Sequence, residues 1–388
     1  MKSTITPIGE GEVLLHVGLH KTGTTALQVA LADARGVLED YGVRYPGKTL
    51  YHHRAILAGA DRPYGWRDNG ARITPKKHWK RMLKEANYSG RTIISSEFLD
   101  DIKPEVGKRM IDDLGGTGRV SVVITLRSIG AILPSAWQQG LKAGVTTGYN
   151  QWLKVMFDEE QSGRAERFWY RHDQVEQVKR WAEVIGADRT YVVVIPDGDR
   201  KAIFNAFEGL LGLPEAFLST RELVIQNRSM TTPEAEFVRR LNKELAGQMS
   251  WDEYTVMVRR ALILNMVEKR RPHADEPRIK TPDWAADKAL EFGQRFAKGI
   301  AELGVQVIGD PVDLAVRPAS GSIDKPEALT MDAAVAGTAG LVLESLAERR
   351  ALAEKIGTAA PAQTGAKGRR NRWTARGAAR ALKRGFSR

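Results

Sequence analysis

The residues between positions 18 and 25 have the types and spacing of a site that binds an anion. Lys21 supplies a mobile positive charge, and Gly23 allows the chain to turn tightly. Three hydroxyl side chains that can donate hydrogen bonds lie beside them, those of Thr22, Thr24 and Thr25. A small loop with this content suits a phosphate or sulfate group.

The elements on either side of this loop determine how it is held. An apolar run at residues 13–17 predicts a strand that stops at Gly18. Apolar residues with helical spacing follow from position 27 to position 38 and predict a helix that begins at Thr24. The loop therefore joins a strand to a helix N-terminus, where free backbone N–H groups and the positive end of the helix dipole attract negative charge.

The order of residues argues against a nucleoside triphosphate site. A Walker A loop places its lysine directly after the last glycine, whereas Lys21 precedes Gly23. A second β-branched run, residues 119–126, predicts a buried strand that ends at Arg127. A Walker B strand would end in an aspartate that holds Mg²⁺. An arginine in that place attracts an anion instead, and its planar guanidinium can bind phosphate through two hydrogen bonds.

The segment from Lys21 to Thr25 resembles the 5′-phosphosulfate loop of sulfotransferases that use 3′-phosphoadenosine-5′-phosphosulfate (PAPS). The resemblance covers roughly residues 10–305 and implies an α/β fold, a P-loop-like doubly wound parallel sheet flanked by helices with a helical C-terminal elaboration. It implies that PAPS is the sulfate donor, that no metal is needed, and that the acceptor is a hydroxyl or amine of a glycan, glycolipid or small molecule. It also assigns the 5′ end of PAPS to the loop, residues Lys21, Thr22, Gly23, Thr24 and Thr25, and the 3′-phosphate to Arg127 and Ser135.

The resemblance suggests a catalytic base as well. Residues 91–96 form a short apolar strand that ends at Glu97, in the place where this family carries a glutamate or histidine that takes the acceptor proton. We predict Glu97 as the base and Lys21 as the catalytic cation. Three histidines remain as alternatives, His20, His52 and His53.

Two further predictions concern the region after Arg127. Pro134 would break a helix interior, so we expect the next helix to begin there and residues 128–133 to form an irregular loop. Arg228 precedes a periodic segment that predicts a helix from 232 to 245, and it is a second candidate for the 3′-phosphate. Acceptor pockets are built from loops, here expected at residues 45–79 and after Gly144.

The resemblance and the composition together divide the chain into four predicted segments. Residues 1–225 correspond to the PAPS-binding core, and residues 226–310 to a helical part of the same domain. Residues 311–363 are predicted to form an Ala-rich helical extension and a linker. Residues 364–388 form a basic tail, either disordered or an amphipathic helix.

Composition limits the remaining function classes. The chain of 388 residues has a net charge of +12, and nine of its Lys and Arg residues lie in the acid-free segment 364–388. The charge belongs to a tail and not to a face of the fold. We therefore expect no specific nucleic acid partner, although the tail could bind an anionic membrane surface.

The chain contains no cysteine, which excludes disulfides and fits a reducing cytoplasm. Residues 1–12 are polar and predict no signal peptide. We expect a cytoplasmic protein, peripheral to the membrane if the tail binds it. Two alternatives to the transferase stay open: a P-loop-type kinase or NTPase, and a non-catalytic adaptor that binds 3′-phosphoadenosine-5′-phosphate (PAP).

Overall fold

The structure, a computed structural model, describes residues 5–63, 72–158, 163–220, 228–322, 326 and 328–359, with the backbone alone at 163, 164 and 353–359. The predicted basic tail at 364–388 and most of the predicted linker lie outside these ranges. The proposed division of the chain into segments stays a prediction.

A parallel sheet forms the centre of the protein. In the described part of the chain it has six strands in the order β2-β3-β1-β4-β5-β6. The strands are β1 (Val13–His16), β2 (Val43–Arg44), β3 (Arg91–Ser95), β4 (Val120–Arg127), β5 (Thr190–Ile195) and β6 (Gln306–Ile308). Strand order reverses between β1 and β4, the kind of switch point at which doubly wound sheets bind ligands. The predicted α/β class, with a parallel sheet between helices, is confirmed.

Helices cover both faces of this sheet. On one face, α1 (Thr24–Leu38) and α9 (Ala202–Leu211) pack against alternate strand residues such as Leu14 and Val123. The opposite face packs against a larger apolar cluster. In chain order, the helices that contribute to this cluster are α2 (His53–Gly59), α3 (Lys77–Ala86), α4 (Pro104–Asp113), α5 (Ile129–Leu141), α6 (Tyr149–Met156), α7 (Gly163–His172) and α8 (Gln174–Ile185). Since side chains alternate along a strand, burial on both faces explains the continuous apolar runs of β1 and β4.

The C-terminal part is helical, as expected. The helix predicted at 232–245 is α10 (Thr232–Leu245), and a capping box between Thr231 and Glu234 fixes its start. One continuous helical segment follows, comprising α11 (Trp251–Glu253), a π-helical segment (Tyr254–Leu264) and α12 (Asn265–Lys269). The last two helices described are α13 (Asp283–Glu302) and α14 (Met331–Ala359).

The prediction that a helix begins at Pro134 is wrong. Helix α5 begins at Ile129, directly after Ser128, and carries Pro134 in its interior. A proline there removes the hydrogen bond to the carbonyl of Gly130 and destabilises the helix by about 3 kcal/mol. Burial of Ile129, Ile132 and Leu133, each 0% exposed, offsets this, since a fully buried side chain of this size contributes about 1.5–3 kcal/mol.

Within the described ranges, no helix combines the length and the apolar composition required to cross a bilayer.

Candidate functional site

The loop after β1 leaves the N-terminus of α1 open. Its backbone takes left-handed conformations at Gly18 (φ 42°), Lys21 (φ 74°) and Gly23 (φ 94°). Gly23 precedes α1 without a side chain to cap it, and the first turn of α1 holds no acidic residue. The first N–H groups of the helix therefore keep both their hydrogen-bonding capacity and the positive end of the dipole for an anion.

Two of the loop threonines hold the loop together from inside. The Thr22 hydroxyl donates to the Leu19 carbonyl at 2.7 Å and lies 2.7 Å from the Thr125 hydroxyl on β4. The Thr24 hydroxyl also donates to the Leu19 carbonyl, at 3.4 Å. Any ligand contact from Thr22 and Thr24 must then come from their backbone N–H groups. The half-buried Thr25 has no side-chain hydrogen bond to the described residues.

The Lys21 ammonium lies between the loop and α5. Its Nζ donates to Oε1 of Gln139 at 3.3 Å. Burial lowers the pKa of Lys21, the negative charge of Glu97 raises it, and the positive charge of Arg259 lowers it. A cation held largely out of water is well suited to neutralise a charge that develops on a bound group.

Glu97 begins a 3₁₀ turn (Glu97–Asp101) directly after β3. Its carboxylate accepts a hydrogen bond from Nε2 of Gln28 at 3.4 Å and lies 3.5 Å from Nε2 of His53. The Glu97 side chain is only 15% exposed. The structure therefore brings the predicted base to the same edge of the sheet as Lys21, where the two side chains interact electrostatically.

The three alternative histidines have different environments. Both ring nitrogens of His52 are engaged, since Nδ1 accepts from the Ser95 N–H at 3.1 Å and Nε2 donates to the Pro46 carbonyl at 2.8 Å. Burial lowers the pKa of His52 to about 4. The His53 Nδ1 lies 3.0 Å from the Ser96 hydroxyl, and burial lowers the pKa of His53 while Glu97 raises it.

His20 has a buried carboxylate behind it. Its Nδ1 is hydrogen-bonded to Oδ2 of Asp100, a residue whose pKa is raised because it is fully buried. A carboxylate that orients an imidazole in this way is a common feature of general bases. No pattern in the sequence points to Asp100, which lies 80 residues from His20.

The predicted 3′-phosphate residues lie at the end of β4 and on α5. The Arg127 Nε donates to Oδ1 of Asp197 at 2.8 Å, and the Ser128 hydroxyl donates to Oδ2 of the same carboxylate at 2.8 Å. The Arg127 side chain is 35% exposed. Ser135 is half-buried on α5, one helical turn before Gln139. Asp197 thus fixes the guanidinium at the sheet edge.

Arg228 is engaged elsewhere. Its two Nη atoms donate to the two carboxylate oxygens of Glu234 at 2.7 and 2.8 Å. Arg270 donates to the same carboxylate at 2.7 Å, so Arg228 belongs to a partly buried ionic network beneath α10. The Glu234 carboxylate neutralises the charge of Arg228, so its position is explained without a bound phosphate.

Two cations near Lys21, Lys142 and Arg259, were not predicted from the sequence. Burial and the positive charges of Lys21, Arg259 and Arg228 together lower the pKa of Lys142 to about 8. Arg259 lies on the π-helical segment, and burial lowers its pKa too. In the sequence, the spacing of Gln139 and Lys142 after Ser135 was the available signal, because these positions share one face of a helix.

Comparison with known proteins gives little more. No protein-family model matches the chain, and a comparison with curated proteins finds no match. Among solved structures, the chain is similar to a sulfotransferase from Alicyclobacillus acidocaldarius, with 20% identity and a TM-score of 0.38 over 62% of this chain and 93% of that one. A TM-score this low carries no argument about function.

Proposed function

We propose that this protein is a sulfotransferase that moves a sulfuryl group from PAPS to a hydroxyl or amine of an acceptor. The observation that carries the proposal is the placement of Lys21 beside the open N-terminus of α1, with the Glu97 carboxylate close enough to raise its pKa. Lys21 and the start of α1 supply positive charge and N–H donors, and Glu97 supplies a carboxylate. Transfer of an anionic group to a hydroxyl needs both.

The loop fits the 5′ end of PAPS. A Cβ atom at Gly18 would lie 2.9 Å from both His16 Nε2 and the Thr24 hydroxyl, so this turn is closed to side chains and keeps the backbone compact. The groups of the loop that the structure leaves for a ligand include the first N–H groups of α1 and the Lys21 ammonium. We assign the 3′-phosphate to Arg127 and Ser135, with Asp197 holding the guanidinium through Nε.

In the proposed mechanism, PAPS supplies the sulfuryl group for an in-line displacement. The acceptor oxygen forms a bond to sulfur while the bond from sulfur to the 5′-phosphate oxygen breaks, and the acceptor proton moves to the Glu97 carboxylate. Lys21 and the N–H groups at the start of α1 neutralise the charge left on the 5′-phosphate. Gln28 and His53 hold the two Glu97 oxygens in place.

A ligand comparison tests the donor. A sulfotransferase should be stabilised by PAP without Mg²⁺, by about 2.7 kcal/mol at a hundred times the dissociation constant. Stabilisation by ATP with Mg²⁺ and none by PAP would favour the kinase or NTPase alternative. Binding of PAP without turnover on any acceptor, screened with labelled PAPS and a cell extract, would leave the adaptor.

The Glu97→Gln variant tests the base. The amide keeps the shape of the side chain but cannot accept the proton, so we expect unchanged PAP affinity and turnover slower by about 10²-fold or more. His20→Gln serves as the comparison. If Glu97→Gln retains turnover while His20→Gln abolishes it, the base is His20 backed by Asp100.

A further inference from the structure

Helix α5 continues past the donor site towards a second positive region. Ser135, Gln139 and Lys142 lie at positions i, i+4 and i+7 and so share one face of the helix. Gln139 marks the position of Lys21, because its side chain accepts from Nζ. With a rise of 1.5 Å per residue, Lys142 lies about 10 Å along the axis from Ser135. Lys21 therefore separates Lys142 from the end of the site assigned to the 3′-phosphate.

The π-helical segment brings Arg259 to the same place. The Tyr254 hydroxyl donates to the Leu141 carbonyl at 3.1 Å and lies 2.7 Å from Oδ1 of Asn242, which fixes the segment against the C-terminal end of α5. Arg259 follows Tyr254 by about one π-helical turn. It is close enough to affect both Lys21 and Lys142, whose pKa values its charge lowers.

The positive charges of Lys142 and Arg259 are poorly neutralised. Among the described residues, neither Lys142 nor Arg259 forms an ion pair, and the acid that acts on Lys142 is the exposed Glu268. Like charges brought together away from water raise the free energy of the folded state unless an anion joins them. The π-helical segment that carries Arg259 spans 11 residues, whereas π-helices are mostly single turns that occur at functional sites.

We propose that Lys142 and Arg259 bind an anionic group on the acceptor, a carboxylate, sulfate or phosphate ester, while the acceptor hydroxyl faces Glu97. This inference rests on the proposed function and adds the substrate class. A cleft lined by Ala143 and Gly144 begins directly after Lys142 in the chain and can take the neighbouring part of the acceptor. Trp251 and Tyr254 line it, with their rings stacked at 5.6 Å.

Inorganic sulfate is the probe that tests the inference. It is titrated into the full chain with saturating PAP, and binding is followed by tryptophan fluorescence. We expect Lys142→Ala and Arg259→Ala each to weaken sulfate binding by about tenfold or more, the effect of losing a charge-assisted hydrogen bond. Arg260→Ala is the matched control, because Arg260 is the exposed neighbour on the same segment, and it should bind sulfate as the wild type does. Arg259→Lys keeps the charge and should retain most of the affinity, which separates loss of charge from misfolding.

Two outcomes would overturn the inference. One is equal sulfate affinity in the wild type, Lys142→Ala and Arg259→Ala. The other is a loss of PAP affinity in the two alanine variants as large as the loss for sulfate, which would assign the cations to the donor. If PAP does not bind at all, the proposed function fails, and the same titration without PAP in a Lys21→Ala background still tests the anion site.

Discussion

Replacement of Lys142 by methionine should make the protein more stable at neutral pH. Burial and neighbouring cations lower the pKa of Lys142 from 10.5 to about 8. A shift of that size corresponds to about 3 kcal/mol of unfavourable interaction of the charged form in the folded state. Methionine retains most of the aliphatic chain and carries no charge, so we expect Lys142→Met to raise the free energy of unfolding by about 1–3 kcal/mol at pH 7.

The pH dependence of this gain identifies its cause. Because the folded pKa lies below the unfolded one, the unfolded state binds more protons between pH 8 and pH 10.5, and wild-type stability rises through that window. Below pH 8, Lys142 is charged in both the folded and the unfolded state, so the whole unfavourable interaction lowers the stability of the wild type. The advantage of Lys142→Met should therefore be constant below pH 8 and shrink towards zero near pH 10.5.

Urea unfolding of both proteins across this pH range, without added anions, provides the measurement. Arg260→Met, which removes an exposed cation from the neighbouring helix, is the control and should change stability little. A Lys142→Met variant that is less stable at pH 7, or a gain that does not change with pH, would refute the electrostatic reasoning.

Three other variants test the remaining assignments. Lys21→Ala should reduce turnover by about 10²–10³-fold in a labelled-donor assay, because it removes charge stabilisation of the transition state, and near-normal turnover would exclude that role. Arg127→Ala should weaken PAP far more than the analogue that lacks the 3′-phosphate, measured by calorimetry, because the lost charge-assisted contact is specific to that group; equal weakening would mean that Arg127 only supports the fold. Deletion of residues 364–388 should leave PAP binding intact but reduce sedimentation with anionic liposomes at low salt, since each basic residue near such a surface contributes about 1 kcal/mol; identical partitioning would leave a tail without membrane affinity.

Local patterns predicted most of the sheet and the loop. The apolar runs that became β1 and β4 and the helical spacing of α1 are signals carried by neighbouring residues, and all three elements form where expected. The helix predicted at 232–245 was confirmed for the same reason, with its cap at Thr231. The start of α5 was not, because the burial of three apolar side chains outweighs the effect of Pro134.

Contacts between segments far apart in the chain could not be predicted from the sequence. His20 meets Asp100, and Arg127 meets Asp197, only after separate strands reach one edge of the sheet. Arg259 depends on a π-helical register, in which the hydrogen bonds shift by one residue and the 3.6-residue apolar period is lost. The resemblance to sulfotransferases covered the donor loop but offered no pattern for these partners.

The packing of α14 has a consequence for how the site can be observed. A Cβ atom at Gly340 would lie only 1.8 Å from the Ala261 carbonyl, so the two backbones touch, and Asn265 also donates to the Ala336 carbonyl. Helix α14 and the π-helical segment are therefore in direct backbone contact along this stretch. If the anion proposed above orders the segment around Arg259, this contact would transmit the change to α14, and by reciprocity a constraint on α14 would change the affinity for that anion. A spectroscopic label at the exposed Val342 would then report on the occupancy of a site it does not touch.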